Sequence, residues 1–181
     1  MKTLIIHPED ESTAFVKGVY KNIPYDTLIE KGLTKGEIID QIVAHDKIIM
    51  IGHGSPEGMF STGMFPDTWG YVIDQQMVPY FREKKECLYL WCNADRFVKK
   101  HNLKGFYSGM FISELNETHF CGLNANQKQM DEANEFFCET FQKYLTEDMH
   151  QAYTHVKRIY RDKAKENPII NYNFNRLYYA E

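Results

Sequence analysis

Residues 47–54 read Lys-Ile-Ile-Met-Ile-Gly-His-Gly. This stretch is the strongest indication of the fold class in the chain. The apolar run of residues 47–51 does not alternate with polar residues, which is typical of a strand covered on both faces. A second run of the same kind, residues 87–91, ends at Cys92-Asn93-Ala94-Asp95. Each run predicts a core strand, and each is followed directly by an unusual polar sequence.

Segments of strand and helix character alternate along the chain on either side of these two runs. Further strands are predicted at residues 4–7, 26–29 and 105–108. Helices are predicted at about residues 11–21, 71–84, 96–101, 126–145 and 148–165, and another is predicted to begin after Thr34 and to include residues 38–43. Residues 169–179 fit either a last strand or a packed tail. This alternation predicts an α/β fold of three αβα layers around a mainly parallel central sheet.

Two local signals refine this pattern. Thr34 followed by Glu37 predicts a capping box at a helix start. The apolar stripe of that helix is predicted to comprise Ile38, Ile39, Ile42 and Val43. The glycine-containing sequence after residue 51 predicts a loop with a small hairpin.

Length and composition limit the classes of function. A chain of 181 residues fits one domain, predicted here as a core of residues 1–123 followed by a helical part of residues 124–181. A net charge of −4 argues against a nucleic-acid partner. No apolar run approaches the roughly 20 residues of a membrane helix, and the first apolar stretch is far shorter than that of a signal peptide, so we expect a soluble protein that is not exported.

The four cysteines show neither a CxxC pair nor a metal-ligand spacing. We therefore expect free thiols in a reducing compartment, no metal or cofactor, and a cytoplasmic location.

His53 and Cys92 are the two residues of this chain most suited to catalysis. In open parallel sheets, sites gather beyond the carboxyl ends of the strands. The two residues lie 39 positions apart in sequence, but each follows a predicted core strand, so we expect both to face one crevice.

A thiol and an imidazole in one crevice suit nucleophilic attack on a carbonyl. The imidazole can lower the pKa of the thiol and then protonate the leaving amine. The negative tetrahedral oxygen also needs fixed donors, and the backbone N–H groups of Gly54 and Cys92 are candidates for this oxyanion hole.

The motifs of residues 48–54 and 88–94 resemble those of the caspase-like cysteine peptidases, a clan that includes metacaspases, clostripain, gingipain and bacterial CHAT-domain proteases. The resemblance covers roughly residues 2–123. It implies a caspase-like fold, His53 as base, Cys92 as nucleophile and a peptide or protein substrate. Leu90 departs from the family, because members selecting charged residues often carry a polar residue two places before the nucleophile.

Residues that could border the substrate pocket come from several segments. They are Asp10, Leu90, Asp95, Ser108, Met110 and Glu114. Two further functions are compatible with the sequence: a catalytically silent caspase-like module that binds peptides, and a small-ligand or nucleotide-binding α/β protein of bacterial signalling or defence. An activating partner or ligand is compatible with each of them.

Overall fold

Nine strands form two sheets in the computed structural model, which describes all residues 1–181. The strands are β1 (Thr3–Ile6), β2 (Thr27–Ile29), β3 (Lys47–Ile51), β4 (Gly54–Ser55), β5 (Gly58–Phe60), β6 (Tyr71–Ile73), β7 (Cys87–Leu90), β8 (Gly105–Ser108) and β9 (Leu177–Ala180). The central sheet has the order β2-β1-β3-β7-β8-β9. The second sheet is a small antiparallel one, β4-β5-β6.

Strands β1, β3 and β7 are neighbours and run parallel, which confirms the predicted mainly parallel central sheet. In their register Ile49 lies opposite Ile5 on one side and Leu88 on the other. All five residues of β3 are buried, which explains why its sequence shows no polar alternation. Only β9 runs antiparallel, at the edge beside β8.

Eight helices surround the central sheet. They are α1 (Lys17–Tyr20), α2 (Lys35–Ala44), α3 (Val78–Phe81), α4 (Ala94–His101), α5 (Leu115–Phe120), α6 (Gln127–Tyr144), α7 (Met149–Lys163) and α8 (Pro168–Phe174). Asn126 and Asp148 cap α6 and α7 with their side chains, because each accepts from a backbone N–H that the first helical turn leaves unpaired.

Alternate residues of the central strands point into two separate apolar clusters. Ile49 and Leu88 belong to a cluster with residues of α1, α6, α7 and α8. Ile48 and Tyr89 belong to a second cluster with residues of α2, α3, α4 and the small sheet. Helices therefore cover both faces, and the predicted three-layer α/β architecture is confirmed.

The helix predicted at residues 71–84 is wrong in its first part, whereas its second part contains a 3₁₀ turn at Gln75–Met77 and α3. Its first three residues form β6, which pairs with β5. Asp74 then accepts from the N–H of Gln76 at 2.8 Å and starts a 3₁₀ turn. The β-branched and aromatic residues of β6 fit the pleated surface, and this pairing outweighs their helical spacing.

The helix predicted at residues 11–21 is also too long. The chain forms a 3₁₀ turn at Ala14–Val16 and continues into the four-residue α1. Asp10 accepts from the N–H of Ser12 at 2.8 Å, and such a side-chain bond offers the backbone an alternative to a helical turn.

The capping box of Thr34 and Glu37 is confirmed at the start of α2. The apolar stripe of that helix is narrower than predicted, since Ile38 and Ile42 are buried whereas Val43 is 60% exposed.

The segment after residue 168 resolves the two options left for the C-terminus, because it contains both α8 and β9. The C-terminal part thus supplies a helical layer and also the last strand of the central sheet. No helix in the chain is both long enough and apolar enough to cross a bilayer.

Candidate functional site

A small pocket of about 40 Å³ lies beyond the carboxyl ends of β3 and β7. His53 and Cys92, which follow these two adjacent strands, both line it, together with Leu90. Most of the remaining wall is apolar and comprises Thr13, Phe15, Val16, Ile51, Gly52, Trp91, Phe111, Ser113 and Phe137. The structure therefore brings the two predicted reactive side chains to one pocket.

Trp91 fixes the loop that carries His53. Its indole N–H donates to the carbonyl of Ser55 at 3.1 Å, and the ring packs directly on Gly54. A Cβ atom at Gly54 would lie 2.2 Å from Cδ1 of the ring, so only glycine allows this approach. Trp91, the residue before Cys92, thus packs against Gly54, the residue after His53. These contacts connect the two loops that carry His53 and Cys92.

His53 is hydrogen-bonded to Ser12. Its Nε2 lies 2.6 Å from Oγ of Ser12 and 3.8 Å from Oδ1 of Asp10. Ser12 in turn donates to Oδ1 of Asp10 at 2.5 Å. The hydrogen bonds of the chain include none between His53 and Cys92.

The thiol of Cys92 is held in its protonated form. It donates to the carbonyl of Phe111 at 3.6 Å. Burial raises its pKa to about 11, and the nearby carboxylate of Glu117 adds to the effect. The expectation that the imidazole lowers the pKa of Cys92 is therefore wrong for this conformation. Desolvation disfavours the thiolate, and the imidazole of His53 is hydrogen-bonded to Ser12.

Both backbone groups predicted for the oxyanion hole are without an acceptor. The N–H of Cys92 makes no hydrogen bond within the chain. Gly54 lies opposite Met59 in β5, while the N–H of Phe60 donates to the carbonyl of His53 at 2.9 Å. This spacing makes Gly54 and Met59 a non-hydrogen-bonded pair, so the N–H of Gly54 points away from β5.

Two of the residues predicted to bind substrate lie at the site, Leu90 in the pocket wall and Asp10 beside His53. The other four lie outside the pocket wall. Ser108 is fully buried and donates to the carbonyl of Trp91 at 3.1 Å. Asp95 pairs with Lys99 on α4 at 3.5 Å.

Met110 and Glu114 also lie outside the pocket wall. Glu114 caps α5 in a capping box with Glu117. The segment after β8 does reach the pocket, but through Phe111 and Ser113.

Sequence reasoning missed Ser12, which lies closest to His53. The rule that sites gather at strand ends could have indicated it, because Ser12 follows β1, a direct neighbour of β3. It also missed Phe137, a buried residue of α6 that forms part of the pocket wall.

A buried histidine holds the turn that carries Ser12. His7 follows β1, and its Nε2 lies 3.0 Å from Oγ1 of Thr13 while its Nδ1 lies 2.8 Å from the hydroxyl of Tyr20. Burial lowers the pKa of His7 to about 4. The ring is therefore neutral at physiological pH and acts as a support for the turn.

Acidification is expected to destabilise the protein through His7. Its pKa falls from 6.5 to about 4 on folding, so the unfolded chain binds the extra proton between these values. The stabilisation is complete above pH 6.5, and about 3 kcal/mol is lost as the pH falls to 4. Urea unfolding at pH 7 and pH 4 should show a smaller loss for His7→Gln than for the natural protein.

Other groups also titrate over this range, so the comparison needs a second histidine. His119 is exposed, and His119→Gln should retain the pH dependence of the natural protein. An equal loss of stability in the natural protein and in His7→Gln would contradict the assigned role of His7.

Comparison of the chain with protein-family models, with curated proteins and with solved structures finds no match. The geometry of the pocket is therefore the feature of this chain that indicates a function.

Proposed function

We propose that this protein is a cysteine peptidase of the caspase-like type, in which His53 and Cys92 cleave a peptide or protein substrate. The observation that supports it is that the two side chains come from the ends of adjacent parallel strands and line one pocket. The backbone N–H groups of Gly54 and Cys92 are without acceptors, and Cys92 lines the pocket whereas Gly54 lies outside its wall. Four free cysteines fit a reducing compartment, so the proposal includes a cytoplasmic location.

The proposed reaction is acyl transfer to sulfur. His53 takes the proton of Cys92 as sulfur attacks the peptide carbonyl, and the N–H groups of Gly54 and Cys92 stabilise the resulting oxyanion. The imidazolium then donates its proton to the leaving amine as the C–N bond breaks. Water hydrolyses the thioester by the same steps, with His53 again acting as base.

The raised pKa of Cys92 determines how the thiolate forms. With a pKa of about 11, the thiol does not ionise appreciably before substrate binds. Its proton must leave for His53 during the attack, as in general-base catalysis. The Cys92 side chain must also leave the carbonyl of Phe111, which a bound substrate would favour by filling the pocket.

The pocket indicates the substrate residue on the acyl side of the cleaved bond. No Asp, Glu, Lys or Arg side chain lines it. A volume of about 40 Å³ exceeds the roughly 15 Å³ that one water needs in such a cavity but is small for an aromatic or long charged side chain. We therefore propose a small aliphatic residue, such as Ala or Val, at this position.

A peptidyl electrophile ending in Ala tests the proposal by forming a covalent bond with the nucleophile. Mass mapping is expected to find it on Cys92, and labelling should fall at least tenfold when Arg replaces Ala or when His53→Ala removes the base. Cys138 is the matched control, because burial raises its pKa to about 11 as well and it also donates to a backbone carbonyl, that of Phe15.

Equal labelling of Cys92 and Cys138 would contradict a dyad, because it would show that His53 and the pocket add nothing to the reactivity. The catalytically silent peptide-binding module would then be the better function. The bond from Cys92 to Phe111 and the raised thiol pKa favour that second candidate.

A further inference from the structure

The turn between β1 and the first 3₁₀ segment places a serine and a carboxylate in series beside His53. Oγ of Ser12 lies 2.6 Å from Nε2 of His53 and 2.5 Å from Oδ1 of Asp10. The same carboxylate oxygen accepts from the backbone N–H of Ser12 at 2.8 Å. Asp10 thereby fixes both the main chain and the hydroxyl of Ser12.

The number of protons available determines the direction of these hydrogen bonds. An ionised carboxylate only accepts, and a hydroxyl carries one proton. The bonds from Ser12 lower the pKa of Asp10, which keeps it ionised at neutral pH. Ser12 must therefore donate to Asp10, and its oxygen is left to accept from Nε2–H of His53.

We infer that Asp10 and Ser12 are positioning residues that hold His53 in the Nε2–H tautomer and leave Nδ1 free to accept a proton. This role rests on the proposed function, in which Nδ1 takes the proton from sulfur of Cys92 and later gives it to the leaving amine. Neither Asp10 nor Ser12 changes its own protonation state in either step. The tautomer itself can be measured without any substrate.

The carboxylate also acts on the charged form of the ring. Once Nδ1 has accepted a proton, His53 is an imidazolium whose Nε2 lies 3.8 Å from Oδ1 of Asp10. Opposite charges at this separation attract. The same group that fixes the tautomer therefore favours the intermediate state in which the thiol proton has moved to the ring.

The turn is held from both sides, as the support of a catalytic base requires. Thr13, which contacts the buried His7 at 3.0 Å, also donates to the carbonyl of Asp10 at 3.5 Å. On the other side, the hydroxyl oxygen of Thr62 lies 3.2 Å from the carbonyl of Glu9. Ser12 is thus positioned by buried and cross-loop contacts although it is itself exposed.

A serine hydrogen-bonded to a histidine is also the arrangement of a serine nucleophile and its base. A serine nucleophile must donate its proton to the histidine, whereas here the Ser12 proton is directed to Asp10. The oxygen of Ser12 accepts from the ring, so His53 is not placed to act as its base. The structure accordingly assigns Ser12 a positioning role.

Nitrogen-15 NMR of histidine-labelled protein at pH 8 tests the inference, with His53→Gln identifying the His53 signals. We expect the natural protein to show a protonated Nε2 and an unprotonated Nδ1. Ser12→Ala should give a mixture of tautomers, and Ser12→Thr, which retains the hydroxyl, should restore the Nε2–H form. A protonated Nδ1 in the natural protein, or an unchanged ring signal in Ser12→Ala, would overturn the inference.

A kinetic measurement separates this inference from the proposed function. With the Ala peptide as substrate, Ser12→Ala is expected to lower kcat roughly tenfold to a hundredfold at nearly constant KM, as the loss of an orienting partner does. Ser12→Thr should recover most of the rate. If Ser12→Ala abolished turnover while Cys92→Ala retained it, Ser12 would be the nucleophile and the positioning role would fail.

An absence of peptidase activity together with the expected NMR result would reject the proposed function alone. The tautomer assignment would then stand as a property of the turn.

Discussion

Replacement of Ile49 by Asp is expected to unfold the protein. Ile49 is fully buried in the middle of β3, between Ile5 and Leu88 of the adjacent strands. A carboxylate there would lose its hydration and find no partner, which costs on the order of 5 kcal/mol. That loss is comparable with the whole stability of a typical domain. Circular dichroism and thermal melting should show no cooperative transition.

Val43→Asp is the matched control for this substitution. It makes a comparable chemical change on α2 at a side chain that is 60% exposed, and it should melt within a few degrees of the natural protein. A soluble Ile49→Asp variant with natural melting behaviour would show that β3 is not covered on both faces.

Replacement of Cys92 by Ala is expected to abolish peptide cleavage while leaving the fold intact. The change removes the proposed nucleophile and only one sulfur atom of volume from a partly buried position. We expect turnover of a peptide amide with Ala on the acyl side to fall about a thousandfold or more. His53→Ala should be nearly as severe, because the base and the nucleophile act in one step.

The double variant distinguishes a catalytic unit from two independent contributions. Residues that act together are not additive, so Cys92→Ala with His53→Ala should lose little more than either change alone. Cys138→Ala, which removes a thiol of similar pKa that does not line the pocket, should retain most of the activity. Multiplicative losses, or cleavage by Cys92→Ala, would contradict the dyad.

The core strands of the central sheet could be predicted from the sequence because the patterns that indicate them are local. The unbroken apolar runs that became β3 and β7 could hardly be exposed, and their length suited strands. The capping box of Thr34 and Glu37 was predicted correctly for the same reason, since both partners lie within one helical turn.

Predictions from local sequence patterns were wrong where contacts with a distant segment determined the secondary structure or the burial of a residue. Tyr71, Val72 and Ile73 lie in a segment spaced like a helix, but β5 was available to pair with them. Val43 fits the apolar stripe of α2, yet it is 60% exposed. In both cases the contact that decided the structure came from another part of the chain.

The sequence by itself determined the three-layer α/β architecture and the placement of His53 and Cys92 at adjacent strand ends, because the periodicity and length of apolar runs record burial directly. The tertiary structure decided the state of the site. Ser12 reaches His53 across 41 positions of sequence, and burial together with Glu117 raises the pKa of Cys92. Hydrogen-bond partners and desolvation depend on which distant groups the fold brings together, and residue spacing along the chain does not encode them.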